Sequence, residues 1–298
     1  MTKVALVIIY NHSYVKNIAI LDALYKDRFD CIYHLVPFYK GNQKNVIPVY
    51  ENGQNFHGYI AQSYKDINSE SIDHYFFIAD DLLLNPAINQ YNYQDFFSLS
   101  QDASFIPSLT PLHLQDSSST HLQFHREGFW EHNWRAVNWK LNADGAEIQA
   151  QLPSIQEAKT IFDHFGLVQE PLNFSSVYWR PPSLEESSYK FPLAYPMVCS
   201  YSDIFIVSAS AMKQFVFYCG VFAASRLWVE IAIPTSLVLS SLKINTFSKD
   251  SKRGALWTLA ERNMLNVFQN NLNLLMNNFP EGYIYLHPIK LSQWNIYK

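Results

Sequence analysis

Val4 to Tyr10 is an unbroken apolar run rich in β-branched residues, the pattern of a strand covered on both faces. Ser13 is placed to cap a helix in which Val15, Ile18, Ala19, Leu21, Leu24 and Tyr25 recur on a helical period. Cys31 to Val36 reads as a second strand, stopped by Pro37. After the turn-forming Asn52-Gly53, Phe56 to Ile67 has helical spacing, and Tyr75 to Ala79 is a third buried strand. This β-α-β-α-β order predicts a parallel sheet with right-handed crossovers. Ligands of such sheets bind at the carboxyl ends of the strands.

From about Asn85 to Pro196 the pattern loosens, with a loop at Ser117-Ser118-Ser119 and an aromatic block from Phe129 to Trp139. Ser154 to Phe165 is an amphipathic helix with Ser154 as cap and Glu157 three residues on. Ser202 to Val207 reads as a strand and Ser210 to Phe217 as a helix. Leu227 to Leu242 is an apolar helix that Pro234 should kink or split. Arg253 to Asn277 keeps helical spacing, and Ile284 to Leu286 is a short strand before His287-Pro288. The expected fold class is therefore α/β, with a mixed, mostly parallel sheet flanked by helices.

Composition supports a packed protein: 48% of the 298 residues are hydrophobic, and charged and aromatic residues account for 16% each. A net charge of −4 without a Lys/Arg cluster argues against nucleic-acid binding. Cys31, Cys199 and Cys219 lack paired metal-ligand spacing, and a reducing cytoplasm is the simpler context. The apolar run at the N-terminus is too short for a secretion signal. The longest apolar stretch, Phe215 to Leu239, is interrupted by Arg226, Glu230 and Pro234 and fails as a membrane span. Peripheral membrane association and a homo-oligomer both stay open.

Candidate chemistry starts at Asp80-Asp81, where two carboxylates end an apolar strand. Burying them without a cation or donors is costly, and hard oxygen ligands suit Mg²⁺ or Mn²⁺ shared with substrate phosphates. A helix N-cap or a solvated turn is the alternative. No G-x-G-x-x-G, P-loop or G-x-S-x-G occurs, and nine glycines leave little for a phosphate-cradling loop.

With its β-α-β start and FIADD strand end, the chain resembles the GT-A glycosyltransferases of bacterial surface-polysaccharide assembly. There a DxD-type motif holds the metal and diphosphate. The resemblance implies a GT-A-like single catalytic domain over residues 1–298. Residues 1–100 would form the nucleotide-binding half, and residues 101–298 an acceptor half with an aromatic-rich insertion. The motif here is DD, so Asp80, Asp81 or both would reach the metal. Asp81 is favoured, with Asp80 on the ribose or on the metal through water.

His287-Pro288-Ile289-Lys290-Leu291-Ser292-Gln293-Trp294 is similar to a C-terminal element of that family. The resemblance implies that His287 completes the metal shell and Lys290 contacts the diphosphate, against the plain alternative of surface residues near a terminus. The segment from Tyr201 through Asp203 to Val207, followed by the helix bearing Glu230, resembles the acceptor side of these enzymes. Glu230, amid apolar neighbours, and Asp203 compete as the base of an inverting transfer. Pairing of Glu230 with Arg226 four residues earlier is the alternative. By position, Tyr10, Asn11 and His12 would meet nucleobase and ribose, while Pro37, Phe38 and Tyr39 would stack on the base. The Trp130–Trp139 block would offer aromatic faces to an acceptor sugar.

The expected activity is transfer of a sugar from a nucleotide-diphosphate donor, UDP-sugar favoured, to a hydroxyl of a glycan or lipid-linked glycan. A sugar nucleotidyltransferase and a non-catalytic carbohydrate-binding scaffold are the alternatives.

Overall fold

A computed structural model describes residues 3–112, 147–148, 150–167, 177–179, 189–191, 195–248 and 254–295. The first half runs β1 (Val4–Ile9), α1 (Val15–Tyr25), β2 (Cys31–Pro37), β3 (Val46–Val49), α2 (His57–Ile67) and β4 (His74–Ala79). Short elements follow: β5 (Leu83–Leu84), α3 (Tyr93–Phe97), β6 (Ser104–Phe105) and β7 (Thr110–Pro111). Next come α4 (Ile155–His164), the paired β8 (Val177–Trp179) and β9 (Tyr189–Phe191), and β10 (Val198–Cys199). The last third holds β11 (Ile204–Ser208), α5 (Ala209–Ala224), α6 (Val229–Ser240), β12 (Ile244–Asn245), α7 (Leu259–Asn263), α8 (Leu272–Asn277) and β13 (Tyr285–Leu286).

The fold is α/β around a seven-stranded sheet of order β12-β6-β11-β4-β1-β2-β3. Every neighbouring pair is parallel except the two made by β11, which runs against both β4 and β6. Side chains alternate along β1, so Val4, Leu6 and Ile8 enter one core and Ala5, Val7 and Ile9 another. The first core packs against Ile18, Leu21 and Tyr25 of α1 and against Tyr285 and Leu286. The second is covered by α2, α5 and α6, through residues such as Tyr59, Ile60, Phe215 and Ile233. A third cluster gathers α4, β10 and the outer sides of α5 and α6. Among the described residues, no helix is long and apolar enough to cross a membrane.

Several elements depart from the sequence expectation. The strand ending at Asp80 is the fourth in the chain, because Val46–Val49 forms a strand that the pattern hid. It is only four residues long and contains Pro48, which is tolerated because β3 is an edge strand. Ser13 does not cap α1; Tyr14 occupies the cap position, with no side-chain hydrogen bond. The helix expected from Arg253 to Asn277 is instead broken into short pieces. Gln269 and Asn270 both take left-handed backbone angles, and Asn271 then caps α8 by accepting from the Leu274 amide. By contrast, Ser154 and Glu157 form the expected capping box on α4. The Trp130–Trp139 block lies outside the described residues.

Pro234 does not split its helix into two: α6 runs through it. A proline lacks the N–H that would bond the carbonyl four residues back, here that of Glu230. The freed Glu230 carbonyl accepts the Ser200 amide at 3.1 Å instead. The missing helical bond is thus replaced by one to the segment leading into β11.

Candidate functional site

Three strand ends converge on one edge of the sheet. Asp80 and Asp81 follow β4 in a turn closed by the Leu82 amide on the Ala79 carbonyl, and no helix follows, so neither residue is an N-cap. Since β11 is antiparallel to β4, its beginning lies beside the end of β4. Asp203, just ahead of β11, accepts the Ala79 amide on its backbone carbonyl at 2.9 Å. From the far end of the chain, β13 pairs with β5, and the Ile289 amide donates to the Asp81 carbonyl at 2.7 Å. His287 is thereby delivered to Asp81.

The imidazole Nε2 of His287 lies 2.9 Å from Asp81 Oδ1. That oxygen is enclosed and has no aligned hydrogen-bond partner. On the other side of the ring, Nδ1 is hydrogen-bonded to the Tyr201 hydroxyl. Tyr201 stacks on Tyr285 at 6.0 Å between ring centres, and Trp257 meets the His287 ring edge-on at 5.7 Å. Trp257 itself is 56% exposed and forms a wall open to solvent.

The charges here are strongly interdependent. Burial raises the Asp203 carboxyl to about 6; His287 opposes that rise, and Glu230 and Asp81 add to it. Asp80, buried, is pushed up to about 7, chiefly by loss of water. The Asn17 amide, donating to Asp80 Oδ2 at 2.9 Å, and the Asn11 backbone hold that rise back, while Asp81 adds to it. For His287, burial favours the neutral ring, but Asp203, Asp81 and Asp80 outweigh it and raise its pKa above the ordinary value.

Among the described residues, no group of three or more His, Cys, Asp or Glu is arranged to hold a metal. Asp81 and His287 offer two donors. Their 2.9 Å separation matches neighbouring ligands of an octahedral ion, about 3 Å apart for bonds of about 2.1 Å. Two protein ligands are what Mg²⁺ commonly takes when water and substrate phosphates complete its shell.

Asp80, Asp81, Asp203, Glu230 and His287 are thus brought together. Glu230 sits in the first turn of α6, close enough to Asp203 to influence its ionisation. The alternative partner of Glu230 is elsewhere: Arg226 lies before the helix with a left-handed backbone and pairs with Glu51 at 2.7 Å. Lys290 is exposed three residues beyond His287. Asn11 lies beside the Asp80 carboxylate, and His12 is exposed next to it.

Tyr10 does not offer a surface for a nucleobase. It is completely buried, and its hydroxyl bonds His34 Nδ1 at 2.9 Å, with His34 Nε2 2.9 Å from Asp22. Pro37 and Tyr39 are buried as well, leaving Phe38 as the aromatic available at the end of β2. Phe38 is 59% exposed, with a left-handed φ of 55°, and meets the exposed Tyr50 edge-on at 6.0 Å. Such a strained, outward aromatic pair is the kind of feature that marks binding surfaces.

Sequence reasoning missed Asn17, Tyr50 and Trp257, and gave Tyr201 no role beyond opening the segment that carries Asp203. Tyr201 had a readable signal, because it stands two residues before Asp203, on the same side of an extended segment. No protein-family model matches the chain, and comparison with curated proteins returns no match.

Proposed function

We propose that the chain is a metal-dependent glycosyltransferase with a GT-A-like fold, on the strength of one observation: Asp81 and His287, from opposite ends of the sequence, meet at 2.9 Å beside Asp203 and Glu230. The donor is a nucleotide-diphosphate sugar, UDP-sugar favoured, laid across the strand ends. Asp81 and His287 would hold Mn²⁺ or Mg²⁺, which would supply charge stabilisation for the leaving diphosphate. Lys290 lies on the same edge and adds positive charge there. Phe38 and Tyr50 provide faces for the base, and Asn11 meets the ribose; Asp80, 2% exposed and bonded to Asn17, is too enclosed to touch it.

The acceptor is a hydroxyl of a glycan or lipid-linked glycan of a bacterial surface polysaccharide, and the reaction takes place in the cytoplasm. In an inverting transfer Asp203 removes the hydroxyl proton. Its carboxyl, raised to about 6, is ionised at neutral pH yet holds a proton better than an ordinary carboxylate, which suits a general base. Glu230, close enough to influence its ionisation, is the competing base.

Thermal unfolding with UDP and Mn²⁺ tests the proposal. Saturating ligand, about 100-fold above Kd, should stabilise the protein by roughly 2–3 kcal/mol. Asp81→Ala should abolish the shift. No response to any nucleotide–metal pair would overturn the reading.

A further inference from the structure

We propose that the chain rests on a lipid surface bearing anionic headgroups, through an apolar face built from Trp257, Leu259 and Val267. That contact is independent of the chemistry at Asp81; only its consequence for the acceptor rests on the glycosyltransferase reading.

α7 and the 3-10 turn that continues it, Met264–Phe268, form one short helical stretch at the surface. Its inner side is apolar: Phe268 is buried in the first core, and Met264 and Leu265 pack against that core. A surface helix with such an inner stripe ordinarily shows charge outside. Here the outer side is apolar too, with Leu259 74% and Val267 70% exposed, and Trp257 opening to solvent just ahead of Leu259. From Gly254 to Pro280 only Glu261 and Arg262 carry charge, and both are engaged locally. The Glu261 carboxylate accepts the Thr258 amide at 2.7 Å and the Thr258 hydroxyl at 2.8 Å, closing a capping box. The Arg262 guanidinium donates to the Leu256 and Trp257 carbonyls at 3.0 and 3.1 Å. Exposed aliphatic side chains on a segment so poor in charge mark a surface that is covered in use.

Charge decides between a lipid surface and a second copy of the chain. The sequence running into this face carries Lys249, Lys252, Arg253 and Arg262 against Asp250 and Glu261, a basic excess in a chain of net charge −4. Two copies meeting symmetrically here would press like charges together, whereas anionic headgroups would neutralise them. A tryptophan beside exposed aliphatic residues, with a basic flank, is also the composition of segments that lie in the plane of a membrane interface. The face adjoins the candidate site, because Trp257 meets His287 and Tyr201 edge-on at 5.7 and 6.2 Å. On the glycosyltransferase reading, the acceptor hydroxyl would then arrive from the membrane side, which selects the lipid-linked glycan over a free one.

Co-sedimentation of the full chain with vesicles tests the inference and needs neither donor nor metal. Binding to phosphatidylcholine vesicles with about 30% phosphatidylglycerol should exceed binding to phosphatidylcholine alone by about tenfold or more, and should weaken with added salt. In the double variant Leu259→Ser, Val267→Ser, affinity for the anionic vesicles should fall about 10–100-fold. Both side chains are exposed, so the fold should be kept, which thermal unfolding checks; the two single variants make the comparison if the double one unfolds. Leu242→Ser is the control. Leu242 is more exposed still, but it precedes β12, at the opposite edge of the sheet from Asp81, and its loss should leave binding unchanged.

No preference for anionic vesicles, undiminished binding by the variants, or an equal loss in Leu242→Ser overturns the inference. So does a wild-type dimer that ignores vesicles and that the double variant converts to monomer, since the face then covers a second copy. Protein that shows the UDP–Mn²⁺ stabilisation but ignores vesicles keeps the transferase reading and loses this one; vesicle binding without that stabilisation does the reverse.

Discussion

Asp80 and Asp81 are adjacent in sequence but have different surroundings. Asp80 is sealed under the strand ends with Asn17, whereas Asp81 reaches forward to His287. The burial of Asp80 has a cost that pH can read. Its carboxyl sits at about 7 in the folded chain, against about 3.9 when unfolded. Between these values the folded state keeps a proton that the unfolded state has released. Stability therefore falls as pH rises, by about 1.4 kcal/mol per unit for this group. His57 acts in the opposite sense. It is wholly buried and pushed down to about 3, so the unfolded chain gains the extra proton below about 6.5 and stability rises with pH. Urea unfolding across pH 4 to 6.5 should show Asp80→Asn gaining stability with rising pH relative to wild type, and His57→Leu losing it.

This residue scale was partly legible beforehand. A carboxylate pair closing an apolar strand announces itself, as does a histidine beside a proline and a lysine. The alternating Tyr201-Ser202-Asp203 was readable too, but attention to charge passed over the neutral hydroxyl. Tyr10 misled for a physical reason: apolar and amphipathic at once, it gives no sign of which end faces solvent. In the folded sheet its hydroxyl bonds His34, which in turn pairs with Asp22.

At the scale of elements, periodicity served well where an element packs along its whole length. β1, α2, β4 and α4 appear within a residue or two of expectation. It failed where tertiary contacts decide. β3 is four residues of edge strand, and α7 and α8 are fragments set by their own caps. Pro234 is the instructive case, since local rules place a break where the helix continues. The Glu230 carbonyl it frees holds Ser200, three residues before Asp203. Pro234→Ala should stabilise α6 locally, since proline costs a helix interior about 3 kcal/mol relative to alanine. It should also return a competing N–H to the Glu230 carbonyl. Hydrogen exchange at the Ser200 amide should then quicken while the core of β11 stays protected. Unchanged exchange at Ser200 would show that the replacement bond matters little.

For the molecule as a whole, the reversed strand β11 is the feature that makes the site. In an all-parallel sheet the residue preceding a strand would lie at the opposite edge from Asp80-Asp81. Reversal brings Asp203 to the carboxyl edge, against Ala79. The order of strands in space was not readable from a pattern that reports burial and says nothing of neighbours. Gly254 supports the same assembly from the C-terminal side. A Cβ at this position would lie 1.3 Å from the Tyr285 carbonyl oxygen, a backbone atom that cannot step aside. Gly254→Ala should cost several kcal/mol in chemical denaturation, beyond the usual range for one methyl, and should loosen His287 from Asp81. Retained stability together with retained Mn²⁺ binding would contradict this account.

The pairing of β13 with β5 has a consequence in time. The imidazole of the Asp81–His287 pair is synthesised about two hundred residues after the acid, so a growing chain carries one without the other. Closing so long a loop is slow compared with forming the local βα units, so the Asp81–His287 contact forms late. On the proposed reading, metal capture would then wait for β13 to dock, and a chain that has not yet made this segment would stay blind to the ion.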